Sequence, residues 1–373
     1  MLPPADHHHS VPPALSEPGG PPTAARFLEQ VFGAEPRTIL IAEVAQAHDG
    51  SLGTAHAYID LAARSGADAV KFQTHIAEEE SSPAEAWRVS FSRQDRTRFD
   101  YWKRMEFTPE QWGGLRDHAE AQGLFFLSSP FSLAAVELLD RLAVPAWKVA
   151  SGEVTNSLLL EAMCHAGQPI LLSSGMSSLG DLDQAAARVR RWERPLAMFQ
   201  CTTDYPCPPE RWGLNLLAEL RQRFACPVGL SDHSGTLPPS LAAVTLGARL
   251  IEVHLVMSRS AFGPDVPASI TGAELKELAT GIRAIEQAMS HPVDKDALAR
   301  EFAELRTLFG QSLVAVRDLE AGTVLGAADL SSRKPGHGIP AARWESLVGC
   351  RLGRAVARGQ FLAEADLAAA AIL

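Results

Sequence analysis

An α/β fold, a (β/α)8 TIM barrel followed by a small, mainly β domain, is predicted by three features of the sequence. From Arg37 onward, short β-rich runs alternate with helical segments, the pattern of parallel βαβ units. Eight units end near residue 290, which fits the roughly 250 residues of a barrel. Beyond that point the alternation stops, and a charged helical stretch leads into short strands with glycine turns.

In chain order, residues 1–35 are expected to form a disordered arm, because "MLPPADHHHSVPPALSEPGGPP" is dominated by proline, glycine and polar residues. It lacks the charged start and apolar core of a signal peptide. Its His7, His8 and His9 are expected to bind metal adventitiously at most. The barrel is expected over 36–290, with strands at "TILIAEV", "DAVKFQT", "LFFLSSP", "AWKVASG", "PILLSSG", "LAMFQCT", "PVGLSDH" and "LIEVHL". Helix patterns such as "GTAHAYIDLAARSGA", "FTPEQWGGLRDHAEAQG" and "SLAAVELLDRLA" lie between them. A linker over 291–310 then leads to a small domain over 311–373. A doubly wound open sheet is the rival, but no G-x-G-x-x-G follows the first strand.

Composition limits the function. The chain has 373 residues, 46% hydrophobic and 21% charged, an ordinary globular mixture. Its net charge of −10 argues against a nucleic-acid binder. No apolar run approaches the length of a membrane span. Cys164, Cys201, Cys207, Cys226 and Cys350 contain no CxxC pair, so reduced thiols of a cytoplasmic protein are expected.

Polar groups end every strand: Glu43, Lys71, Ser128 with Ser129, Lys148 with Ser151, Ser173, Thr202 with Thr203, Ser231 with His233, and His254. A barrel builds its active site at that face. A lone histidine is usually structural, but His233 and His254 end consecutive strands, so they are neighbours in a closed barrel. Two neutral imidazoles suit Mn, Fe, Co or Zn, with positions left for substrate and water. Asp232 alternates to the other side and is a poor third ligand. Lys71 and Lys148 sit in apolar strands, where an unpaired ammonium is costly. They read either as salt bridges, to Glu43 and Glu153, or as a phosphate or carboxylate clamp helped by the hydroxyls of Ser129, Ser151, Ser173 and Ser231. A Schiff-base lysine is the competing chemical role. Glu43 reads as a lysine partner or as an acid/base group, and Tyr205 and Asp265 as loop residues able to hold sugar hydroxyls.

The segments "AEVAQAHDGS", "AVKFQTH", "LSSPFS", "WKVASGEVTN", "LLSSGMSS", "QCTTDYP", "GLSDHS", "IEVH", "GPD" and "KPGHGI" run in order from about residue 38 to the C-terminus. Together they resemble the sialic acid (N-acetylneuraminate) synthase family, which condenses phosphoenolpyruvate with N-acylated amino sugars. The last sixty or so residues resemble its antifreeze-like, or SAF, domain. The resemblance implies that His233 and His254 bind a divalent metal, usually Mn2+. It places phosphoenolpyruvate on Lys71, Ser129, Lys148, Ser151, Ser173 and Ser231. It places the open-chain sugar on Glu43, Gln73, Tyr205 and Asp265, with Glu153 a further active-site carboxylate. Three positions depart from the family pattern: Thr203 stands for asparagine, Ser129 for threonine, and Lys334 for an arginine reaching the sugar's acyl group from the partner subunit.

The implied product is a nine-carbon 2-keto acid plus phosphate, with N-acetylmannosamine the default acceptor. The diacetamido precursors of legionaminic and pseudaminic acids remain alternatives, as do a synthase acting on a phosphorylated sugar, a Schiff-base aldolase and a barrel kept only for carbohydrate binding. A domain-swapped homodimer is implied, with Lys334, or Arg333 beside it, completing the neighbour's pocket.

Overall fold

The computed structural model describes residues 21–34, 37–87 and 89–368, and the chain divides into two units between Ser290 and His291. The first unit holds eight parallel strands: β1 (Ile39–Ala45), β2 (Ala69–Thr74), β3 (Phe125–Pro130), β4 (Trp147–Val149), β5 (Ile170–Ser173), β6 (Leu196–Cys201), β7 (Val228–Asp232) and β8 (Leu250–Val256). Their order is β3-β2-β1-β8-β7-β6-β5-β4, and β3 lies beside β4, so the sheet curls into a nearly closed barrel. A short β9 (Ser269–Thr271) adds to β8.

Before the barrel comes α1 (Ala24–Phe32). α2 (Leu52–Arg64) begins the outer ring, α3 (Ala77–Glu80) and α4 (Arg98–Met105) follow β2 on the C-terminal side of the barrel, and α5 (Pro109–Ala121), α6 (Leu133–Arg141) and α7 (Ser157–Ala166) continue the ring. It continues with α8 (Leu179–Arg191), α9 (Leu216–Phe224), α10 (Pro238–Thr245) and α11 (Gly272–Ser290). Most of the expected helices begin on a side-chain cap: Ser51, Thr108, Ser132 and Ser178 each accept from the backbone N–H three residues on.

The two faces of each strand have separate jobs. Leu40, Ala42, Val44, Val70, Phe72 and their counterparts point outward and pack under the helices. The alternate residues point into the barrel: Ile39, Ile41, Ala69, Phe125, Leu127, Leu171, Ala197, Phe199 and Leu250 fill its lower part. The same parity carried toward the strand ends reaches Glu43, Lys71, Ser129, Lys148, Ser173, Ser231 and His254. Both faces are buried, which is why the strands read as nearly continuous apolar runs. At Gly229 an added Cβ would stand 2.5 Å from the Leu250 carbonyl oxygen and 3.0 Å from the Phe199 ring. The inner face therefore has no room for a side chain there.

Residues 24–32 correct the expectation that the whole of 1–35 is a disordered arm. Phe27 and Val31 are fully buried among the inward residues of the lower barrel, and Phe27 meets Phe125 edge-on at 5.2 Å. Arg249 donates to the carbonyl oxygens of Val31 (3.0 Å) and Gly33 (3.2 Å), satisfying groups the helix end leaves open. The helix is short, and its two anchors gain only against the closed barrel, so local composition concealed it. The triple histidine and the rest of residues 1–20 lie outside the described residues. Phe27→Ala should destabilise the barrel by about 3–5 kcal/mol, the usual cost of emptying a buried aromatic site. Chemical denaturation measures this, and an unchanged transition would mean that α1 is a passive cover.

In the second unit, α12 (Lys295–Glu301) and α13 (Ala303–Phe309) precede an antiparallel pair, β10 (Ser312–Ala315) and β11 (Leu330–Arg333). The α14 helix (Trp344–Leu347) and short bridges complete a small core around Leu313, Leu319, Leu325, Ile339 and Leu362. All five cysteines are free. Among the described residues no helix is long and apolar enough to cross a membrane.

Candidate active site

At the C-terminal end of the barrel strands lies a cavity of 450 Å³, within the range of small-molecule sites. It brings together every site residue expected from the sequence except Lys334: Glu43, Lys71, Gln73, Ser129, Lys148, Ser151, Glu153, Ser173, Thr203, Tyr205, Ser231, His233, His254 and Asp265. Lys334 follows β11 in the second unit, exposed, with its ammonium 5.3 Å from the Phe309 ring centre.

The floor is a buried cluster of two lysines and two glutamates. β1 and β2 pair Glu43 with Lys71 in register, so both side chains share the inner face, 2.7 Å apart. Glu252, likewise buried, lies 3.8 Å from the Lys71 ammonium and 3.6 Å from that of Lys148, and accepts from Ser231 at 3.2 Å. Lys148 donates to Ser173 at 2.5 Å and stands 4.9 Å from the centre of the Phe199 ring. The expected Lys71–Glu43 pair is present, whereas the partner of Lys148 is Glu252 and not Glu153. Glu153 instead accepts from Asn156 at 2.8 Å.

Burial sets the protonation of this cluster. It pushes Glu43 up to about 7, with Lys71 pulling the other way. It also lowers Lys148, although Glu252 resists. For Glu252 the burial penalty is outweighed by Lys148 and Lys71, which hold its carboxyl below the ordinary range. Lys71, between two carboxylates, is raised despite its burial. The floor thus sets Lys71 and Lys148 beside one carboxylate held below the ordinary range and one that titrates near neutrality.

Buried hydroxyls of Ser129 and Thr203 have no hydrogen-bond partner in the protein. Both line the cavity, and orphaned buried polar atoms of this kind mark a place for a polar ligand. Gly175 permits close approach, since an added Cβ would lie 2.5 Å from the Thr203 hydroxyl and 2.6 Å from that of Ser151.

On the adjoining side, the rings of His233 and His254 have centroids 5.3 Å apart. His233 Nδ1 bonds the Thr202 carbonyl at 2.8 Å, which fixes the ring, and its Nε2 meets the Tyr205 hydroxyl at 3.0 Å. Tyr205 also stacks on His233 at 4.2 Å. His254 Nδ1 lies 3.7 Å from the Asp265 carboxylate. Burial, then His233 and the two lysines, drive His254 well below the ordinary histidine range, so it is neutral. Burial opposes the proton on His233 as well, but the Cys201 sulfur and Thr202 carbonyl raise it to about 9. Asp232 faces away, accepting from Ser234 (2.7 Å) and Ser240 (3.0 Å). With the His233 proton displaced, this donor set fits a divalent transition ion: two imidazoles with a carboxylate near one of them. Among the described residues no three His, Cys, Asp or Glu side chains already converge as a metal cluster.

The sequence reading overlooked Glu252, although parity was available to find it: two residues before His254 on one strand, it must share the same face. It also overlooked His75, whose ring is stacked between Trp102 (4.1 Å) and Phe131 (4.6 Å) and whose Nδ1 bonds Glu80 at 2.6 Å. Gln46 reaches His75 at 2.9 Å, and Gln73 donates to Glu43 at 2.9 Å. No single-strand pattern reports a contact between β2 and the segment that follows it.

The NeuB family model matches residues 58–294, and a SAF domain model matches residues 310–368. The N,N'-diacetyllegionaminic acid synthase of Campylobacter jejuni is 33% identical over 319 residues, covering 84% of this chain and 95% of that protein. Human N-acetylneuraminate-9-phosphate synthase is 34% identical over 322 residues, covering 85% and 89%. The crystal structure of the N-acetylneuraminic acid synthetase of Leptospira borgpetersenii, in complex with citrate, superposes with a TM-score of 0.64 at 27% identity, covering 74% of this chain and 93% of that one. The chain therefore belongs to the NeuB family, with a C-terminal SAF domain.

Proposed function

We propose that this enzyme condenses phosphoenolpyruvate with the open-chain form of an N-acylated amino sugar, giving a nonulosonic acid and phosphate. The observation that carries the reading is the floor itself, where two buried lysines meet orphaned hydroxyls beside a pair of imidazoles. In this reaction a C–C bond forms between the methylene carbon of phosphoenolpyruvate and the sugar aldehyde carbon. Water adds to the resulting cationic carbon, and the tetrahedral product loses phosphate by C–O cleavage.

Lys71 and Lys148, with Ser129, Ser151, Ser173 and Ser231, hold the phosphate and carboxylate of phosphoenolpyruvate. Gln73, Tyr205, Thr203, Asp265 and Glu153 orient the sugar. Glu43, titrating near neutrality, moves the proton at the sugar oxygen. A divalent metal, Mn2+ first, held by His233 and His254, would polarise the aldehyde as a Lewis acid.

Phosphate release from phosphoenolpyruvate, measured with and without an acceptor sugar, tests the reaction. Release without acceptor, or none with any acceptor, would reject it. Lys148→Ala should raise the KM for phosphoenolpyruvate by about 100-fold, on the scale of losing one to two charge-assisted hydrogen bonds. The KM for sugar should move far less. A second reading, a Schiff-base aldolase, draws on the lowered proton affinity of Lys148. Borohydride trapping with pyruvate, and full activity after metal removal, would favour it.

The assembly we propose is a domain-swapped homodimer in which Lys334 of one subunit completes the sugar pocket of the other. Mixing inactive Lys334→Ala and inactive His233→Ala subunits should restore activity at one site per heterodimer. Verified heterodimers that stay inactive would count against the swap.

A further inference from the structure

The connection between β2 and α5 folds back beside the cavity as an aromatic wall. Trp87 meets Phe91 edge-on at 5.4 Å, Phe91 meets Tyr101 at 5.1 Å, and Phe91 reaches Phe262, on the loop that carries Asp265, at 5.9 Å. Trp102 of this wall and Phe131 after β3 hold the His75 ring between them. A ring held on both faces keeps each nitrogen against one neighbour. Nδ1 meets the Glu80 carboxylate at 2.6 Å, both side chains being largely withdrawn from water. Nε2 meets the Gln46 amide nitrogen at 2.9 Å. Gln46 also donates to the Gln73 carbonyl oxygen, and Gln73 donates to Glu43 at 2.9 Å. The other oxygen of Glu43 lies on the Lys71 ammonium.

These contacts share one polarity. An ionised carboxylate only accepts, an amide accepts at one end and donates at the other, and a neutral imidazole does the same with its two nitrogens. Read from Glu80, the carboxylate takes the Nδ1 proton, which leaves the Nε2 lone pair to accept from Gln46. Gln46 then presents its nitrogen, so Gln73 turns its oxygen to Gln46 and its nitrogen to Glu43. Read from Glu43, the same orientation follows. Nε2 also lies 3.4 Å from the Gln73 oxygen, too long to compete with the bond from Gln46.

We propose that His75, fixed as its Nδ1–H tautomer by Glu80, is a positioning residue. Through Gln46 it sets which end of the Gln73 amide faces Glu43, and so holds that carboxylate in place for proton transfer. Turned end over end, the Gln73 oxygen would stand against a carboxylate oxygen and push Glu43 aside. The role rests on the reaction proposed above, in which Glu43 moves the proton at the sugar oxygen.

Two substitutions separate this role from a merely structural one, since both remove the ring from between Trp102 and Phe131. In His75→Gln the side chain reaches far enough to set an oxygen near the Nε2 position and accept from Gln46, but it has no donor at the Nδ1 position for Glu80. In His75→Asn the shorter amide can donate to Glu80 and falls short of Gln46. Phosphate release is followed with phosphoenolpyruvate and N-acetylmannosamine, and with the diacetamido sugars in parallel. His75→Asn should lower kcat by about 10–100-fold, a share of the roughly 100-fold or more that a positioned acid/base group provides. The KM for phosphoenolpyruvate should stay nearly unmoved, and His75→Gln should recover most of the lost kcat. Asn ranking above Gln, or an equal loss in both, would show that His75 only anchors Glu80 or fills the wall, and would overturn the proposal.

Imidazole nitrogen NMR shifts of the full chain, assigned by the signal that His75→Gln removes, give a readout independent of turnover. A proton on Nδ1 and none on Nε2 is expected. A proton on Nε2 would break the chain and overturn the proposal whatever the activity. If no sugar supports phosphate release while the tautomer is as expected, the reaction fails and the positioning role with it, but the hydrogen-bonded chain stands.

Discussion

His254→Ala is expected to lower kcat/KM by well over 100-fold while leaving the barrel folded. Outer partners of metal ligands already cost about 10–100-fold when removed, so loss of an imidazole proposed to hold the ion itself should cost more. The fold should survive because His254 sits above the apolar filling of the barrel, at the cavity wall. His233→Ala should behave alike, with the added loss of the stacking surface for Tyr205. Chelation should silence the wild type and Mn2+ should restore it, whereas neither variant should recover at the same metal concentration. Metal binding measured directly by calorimetry should weaken in both. Full activity in either variant would remove the imidazole pair from the chemistry.

Glu252→Gln should destabilise the protein by about 3 kcal/mol, the lower end of the cost of breaking a buried ion pair on one side. The amide keeps the shape and the bond to Ser231, but among the described residues it leaves the two buried lysines with Glu43 as the one carboxylate beside them. An anion seated on the lysines would supply the missing charge. Inorganic phosphate should therefore raise the unfolding midpoint of the variant more than that of the wild type, where it must share the cluster with Glu252. An equal phosphate effect in the two proteins would mean that the lysines do not form the anion seat. An undiminished stability would show that Glu252 is dispensable to them.

Most of the barrel was readable because its signals are local. A strand buried on both faces must be apolar along its length, and the polar residue that ends it then stands out. Glu43, Lys71, Lys148, His233 and His254 were found in this way, and the structure gathers all five at one cavity. The small unit was visible through its change of rhythm after residue 290, where alternation gives way to glycine turns.

What only the tertiary structure decided are pairings between distant segments. The sequence offered Glu43 and Glu153 as partners of the two lysines; the structure keeps Lys71 with Glu43 but sets Lys148 against Glu252, a pairing made only when β8 closed between β1 and β7. Residues 24–32 are helical because the open end of the barrel offers Phe27 and Val31 a dry site. The aromatic wall exists because a long connection folds back over its own strand. Periodicity reports the environment of one element at a time. Charge compensation, plugging and roofing are properties of elements that meet only after folding, and their free energies appear in no single stretch of chain.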